Sequence, residues 1–250
     1  MAIDDILKYF EETIPEIHRK FDFIHEREKR NMATYVTKIE AILGNILNNP
    51  KQDTVSTIEF NIAMLLWRGV NTIFSAFELV RGGYGIEPLI ILRNAVETFA
   101  AAIDLKNNPG KYELFRKNKY KSHRAITEAS KVIPIYGKLY GILSNSYAHV
   151  TFSSSYVQHF KNAEGITHLI RGGMFGEENK YYLLSNLAII ESTLAICLAI
   201  TEYIFFNYCD KSEFWGKSKS GLVLIWPKEE YIKYISRINL MLSALVSIKR

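Results

Sequence analysis

The chain has 250 residues, 48% hydrophobic and 23% charged, with 14 Gly and 6 Pro, an ordinary globular composition with ample material for a core. Its two cysteines, Cys197 and Cys209, exclude a disulfide framework and a cysteine-based zinc motif. The net charge of +5 is unevenly spread: eight Lys or Arg stand against two Glu between Lys106 and Lys131, and the rest is close to neutral.

The acidic start, Met-Ala-Ile-Asp-Asp, lacks the basic-then-apolar pattern of a secretory signal, so a cytoplasmic protein with two inert thiols is expected. Ile6, Tyr9, Phe10, Ile17, Phe21, Ile24, Tyr35, Ile39, Leu43 and Leu47 recur at steps near three and four. They predict helix up to Asn48-Asn49-Pro50. Asp53 or Thr54 can cap a second helical run, whose stripe of Ile58, Ile62, Leu66, Ile73, Phe77 and Val80 ends at Arg81-Gly82-Gly83. Pro88 fits the first turn of the next helix, which runs to Asn107-Asn108-Pro109-Gly110. Lys111 to Val132 reads as one basic helix, and Pro134 opens another that reaches about His149.

From Val150 to Gly176 the helical period breaks, with short strands expected at 156–160 and 166–170. Lys180 to Tyr208 is a long apolar helix. Phe214 to Pro227 reads as irregular, with "GLVLIWP" as an edge strand, and Lys228 to Lys249 as a last helix. The expectation is an all-α protein, a single bundle of about six to eight helices with a short irregular or β-hairpin insertion near 150–176. Its 52 N-terminal residues flank a core at 53–149, and C-terminal helices occupy 180–250. Leu183 to Phe206 is the one stretch apolar enough to raise a membrane span. Glu191 and Glu202 within it favour a buried core helix and no membrane.

Three ionisable residues interrupt "ILRNAVETFAAAIDL". At 3.6 residues per turn, Arg93, Glu97 and Asp104 fall within roughly 40° of one line on the helix. The other sides are apolar, so the line is expected to be at least partly buried and to need partners. Glu191 and Glu202 are candidates for Arg93; a tyrosine hydroxyl or His149 is a candidate for Glu97. Either the cluster fixes helix register or it lines a polar pocket. In "LSNSYAHV", His149 stacks over Asn145 and Ser146 at a helix end. It reads either as a proton-moving or phosphate-binding group or as a histidine favoured by the helix dipole. His18 and His25 are too isolated for a metal site, and no metal or cofactor is expected.

"IEPLIILRNAVETFAAAIDL", a charged segment and then "YGILSNSYAHV" resemble an uncharacterised bacterial family of helical domains over about residues 53–155. The same stretch is more distantly similar to HEPN domains, helical bundles common in bacterial toxins and phage defence. Many of these are dimeric RNases that use an Arg-x4-His motif. Here Arg93-Asn94 matches its start, Thr98 stands where the histidine would be, and Ser144 stands at the arginine position before His149. The resemblance implies a homodimeric, RNA- or defence-associated protein, a ribonuclease with its usual motif broken. In it Arg93 would hold a phosphate, His149 would move a proton, Glu97 would orient one of them and Asn145 would donate a hydrogen bond. Lys106–Lys131, which interleaves cations with Tyr112, Phe115 and Tyr120, reads either as one well-solvated helix or as a stripe that contacts RNA. The alternative is a non-catalytic helical module for a protein partner or a small ligand.

Overall fold

The computed structural model describes residues 3–48, 58–85, 87–146, 159–161, 167–169 and 177–226, together with 229, 232–234 and 236. Among them are nine α-helices: α1 (Ile3–Lys8), α2 (Ile14–Ile24), α3 (Glu26–Leu47), α4 (Ile58–Arg81), α5 (Glu87–Asn107), α6 (Tyr112–Arg116), α7 (Ala125–Val132), α8 (Tyr136–Ser146) and α9 (Glu177–Ile204). Two antiparallel hairpins complete the fold: β1 (His159–Lys161) with β2 (Thr167–Leu169), and β3 (Trp215–Ser218) with β4 (Gly221–Leu224). The all-α bundle and the hairpin near 150–176 are as the hydrophobic periods predict. The proposed caps at Asp53 and Thr54 and most of the last helix lie outside the described residues.

Helix α9 runs through the middle. It touches α3, α4 and α5, while α7 and α8 pack against α5 and each other. Residues 194 to 200 of α9 are all buried. The stretch Asn186–Ile204 is long and apolar enough to cross a membrane, with mean hydropathy 1.7, and 83% of it is buried inside the bundle. Its hydropathy is that of a helix surrounded by other helices.

Helix α4 ends where the glycines demand. Gly83 takes φ 78°, the Gly83 amide donates to the Val80 carbonyl (2.9 Å) and the Tyr84 amide to that of Leu79 (2.9 Å). This is a Schellman cap, and it turns the chain back into α5. Helices α4 and α5 then pack closely, with Gly69 of α4 facing the Phe99 ring of α5.

The basic segment is not one helix, contrary to its sequence pattern. After α6, Asn118 adopts φ 54°; its amide donates to the Phe115 carbonyl (3.0 Å), and the Lys119 amide to that of Leu114 (2.8 Å). The same capping geometry thus recurs with asparagine in the left-handed position, which asparagine tolerates better than most residues. A turn follows, and helix resumes only near Ser122.

The stretch 214–226 is likewise more regular than its sequence indicates. Trp215 to Ser218 pairs with the "GLVL" strand, with Trp215 opposite Leu224, and Gly221 at φ 121° closes the turn. The indole of Trp215 anchors this hairpin by donating to the Ala199 carbonyl of α9 (2.6 Å).

Candidate functional site

Helix α5 carries two polar centres, one at each end of the line of Arg93, Glu97 and Asp104. At the N-terminal end, Arg93 Nε donates to Glu97 Oε1 at 3.1 Å and Arg93 Nη2 to the Tyr140 hydroxyl at 3.4 Å. The Tyr140 hydroxyl donates in turn to Glu97 Oε1 at 3.1 Å, closing a triangle between α5 and α8. The guanidinium also lies 5.7 Å from the centre of the Tyr140 ring. Burial works against its charge, but Tyr140 and Glu97 outweigh this and raise the Arg93 pKa. The side chains of Arg93 and Glu97 are 28% and 29% exposed, so the triangle stands at the surface with one side in water.

Glu191 and Glu202 are not the partners of Arg93. Asn31 of α3 donates to Glu191 at 3.3 Å. Glu202, 2% exposed, accepts from the Ser212 hydroxyl (2.6 Å) and from the amides of Glu213 (3.0 Å) and Phe214 (2.9 Å). It holds the loop that leads into β3. Spacing along a helix identifies neither role, because both depend on chains far away in sequence.

At the C-terminal end of α5, Asp104 is 1% exposed and fully engaged. Lys111 Nζ donates to its two oxygens at 2.7 and 3.0 Å, the Tyr120 hydroxyl at 2.7 Å and Asn108 Nδ2 at 2.8 Å. Burial disfavours the charged carboxylate, yet Lys111, Tyr120 and Asn108 overcome it and hold its pKa below the usual range. Burial and the Asp104 charge together push the Tyr120 hydroxyl far above its ordinary value. Asp104 therefore organises the start of the basic segment from inside. The sequence hint was the spacing Asp104, Asn108, Lys111 across an Asn-Pro-Gly turn, which folds both later residues back onto the carboxylate.

The organised segment presents Lys117, Lys119, Lys121 and Arg124, all exposed, around the left-handed turn at Asn118. Of the segment's other cations, Lys111 is occupied by Asp104, Arg116 by Glu113 (3.0 Å) and Lys131 by Glu128 (2.7 Å), while Lys106 stands exposed in the last turn of α5. The aromatic residues do not form an open stacking surface. Tyr112 is buried, and Phe115 and Tyr120 pack edge to face at 6.0 Å with the Tyr120 hydroxyl spent on Asp104.

Asn145 sits in the last turn of α8, one turn beyond Tyr140; its side chain and the whole of His149 lie outside the described residues. The two thiols differ in setting. Cys197 is buried in the bundle, where burial pushes its pKa well up, and Cys209 is pushed up to about 11 by partial burial and the nearby Glu202. Comparison of the chain with protein-family models, with curated proteins and with solved structures gives no match.

Proposed function

We propose that this is an RNA-associated helical protein of HEPN-like kind, acting in the cytoplasm, which contacts phosphates through the turn at 117–124. One observation carries the reading: four exposed cations crowd a turn that is fixed from inside by buried Asp104. A turn whose backbone is already fixed spares the cost of ordering it when its cations meet a polyanion. The broken helix sharpens the expectation from sequence. Phosphate contact is favoured and base stacking is not, because the aromatic rings of the segment are packed inward.

Binding fits the geometry better than cleavage. Arg93 is already held by Glu97 through Nε and by Tyr140 through Nη2, so a phosphate would have to share it with a carboxylate already in place. In the catalytic version Arg93 holds that phosphate, Glu97 orients Arg93 or His149, Asn145 donates a hydrogen bond and His149 moves the proton.

Fluorescence anisotropy with a labelled single-stranded RNA of about 20 nucleotides tests the reading. Neutralising three or four phosphates predicts that log K falls with log[salt] at a slope of about −2 to −3. Reversing charge with Lys117→Glu and Lys121→Glu together should abolish binding, and His149→Ala should preserve it. No binding at low salt, or binding indifferent to the double reversal, defeats the proposal. Metal-independent cleavage lost in both Arg93→Ala and His149→Ala would establish the catalytic version instead.

A further inference from the structure

A cavity of about 130 Å3 opens between α3, α4 and α9. Its floor is Met32 and Val36 of α3, Val70 and Ile73 of α4, and Ile190 and Leu194 of α9. All six are buried, and none offers a side-chain hydrogen bond. Ala33 and Phe74 stand exposed at the rim, with Phe74 43% exposed. Lys29 is the single polar residue in the lining. Its ammonium lies 3.0 Å from Asp22, both of whose oxygens Arg81 also binds (3.1 and 2.5 Å), and Arg81 reaches Glu78 at 3.2 Å.

Size and chemistry define what fits. An apolar cavity of roughly 150 Å3 stays dry and accepts benzene, so this one takes a single aromatic ring or a chain of about six carbons. Water gains nothing there, because a buried water needs two or more polar partners and the floor supplies none. An apolar group moved into it recovers about 25 cal/mol per Å2 of surface removed from water. A carboxylate on that group would emerge beside Lys29, the one residue of the lining that carries a charge. We propose that this cavity is a binding site for a small amphiphilic carboxylate, of the size of hexanoate or benzoate, with the apolar part inside and the carboxylate on Lys29. The site is remote in sequence from the basic turn and independent of any RNA contact.

Hexanoate and 1-hexanol, titrated separately into the full chain, test both halves of the proposal by methyl NMR. The methyl signals of Ile73, Ile190 and Leu194 should shift saturably with either probe. Ala33→Trp, a change on the exposed rim, should plug the mouth and abolish the shifts while the circular dichroism spectrum stays native. Ala33→Met provides a smaller plug should tryptophan disturb the fold. Lys29→Met keeps the apolar stem and removes the charge. It should weaken hexanoate by roughly three- to fivefold and leave 1-hexanol unchanged, as expected for a partly exposed ion pair. No saturable shift, or shifts undiminished by a plugged mouth, overturns the site. An unchanged ratio of hexanoate to hexanol affinity in Lys29→Met overturns the carboxylate assignment.

Discussion

A Cβ placed on Gly69 would lie 2.6 Å from two ring atoms of Phe99, closer than any real contact of that kind. Gly69 is therefore what lets α4 and α5 approach with Phe99 buried between them. The Phe99 ring is 1% exposed and has little room to yield. Gly69→Ala should gain up to about 1 kcal/mol in helix propensity and lose about 1–3 kcal/mol to overpacking, for a net loss of stability. Gly44 of α3 supplies the contrast, since a Cβ there meets only Asn48 Nδ2 at 3.8 Å. Gly44→Ala should stabilise by about 0.5–1 kcal/mol. Urea melts of the two variants with opposite signs would verify the packing; a stabilised Gly69→Ala would refute it.

The triangle of Arg93, Glu97 and Tyr140 predicts a small effect where a buried ion pair would predict a large one. More than a quarter of each charged side chain is in water. Glu97→Ala should therefore cost no more than about 1 kcal/mol. Leu92, one residue before Arg93 and fully buried, should cost about 2–5 kcal/mol on replacement by alanine. Denaturant melts decide between a wet triangle and a structural lock: a Glu97→Ala loss as large as that of Leu92→Ala would mean the latter.

These two helices also show what was legible in the sequence. The end of α4 and the bounds of α5 follow from local chemistry: a glycine that takes positive φ, a proline in a first turn, an Asn-Pro-Gly stop. The line of Arg93, Glu97 and Asp104 follows from the helical period alone. Its division into a wet centre and a dry one does not, because burial depends on what packs opposite. Tyr140 lies 47 residues from Arg93, and nothing in a chain with 15 tyrosines singles it out. The break in the basic segment was hidden for a related reason. Lysine-rich composition fits helix and turn alike, and the decisive residue, Asn118, acts through one backbone angle.

Asp104 makes the stability of the protein acid-sensitive in a defined window. Its folded pKa lies below its ordinary value of about 4, because Lys111, Tyr120 and Asn108 outweigh burial. A depressed carboxylate contributes stability in full above the unfolded pKa and loses it as pH falls through the folded one. Asp104→Asn should remove that component and cost about 1–2 kcal/mol at neutral pH, since the charge-assisted bonds from Lys111 and Tyr120 weaken while the Lys111 ammonium, 36% exposed, stays hydrated. Urea melts from pH 7 to pH 2 should show the wild-type curve falling towards that of the variant below about pH 4. Parallel curves over the whole range would exclude Asp104 as the source. The basic turn should respond too: RNA binding by Asp104→Asn should weaken even though no exposed cation has been touched.

His25 predicts a second window, separate from the first. It occupies the joint between α2 and α3, 7% exposed, with its ring 4.7 Å from that of Phe21 and Nδ1 3.8 Å from Glu28. Burial lowers its pKa, and the opposing pull of Glu28 is too weak to restore it. Depression of a base means that the folded state resists a proton which the unfolded state accepts. The contribution of His25 is therefore complete above the ordinary histidine value of about 6.5 and declines as pH falls through the lower folded value. That decline comes at higher pH than the one due to Asp104, so the two can be read in a single titration. His25→Leu keeps an apolar side chain against Phe21 and removes the titration. Its stability should be flat between about pH 7 and 5, while that of wild type falls. If both proteins lose stability equally across this interval, the joint between α2 and α3 does not sense protonation at His25.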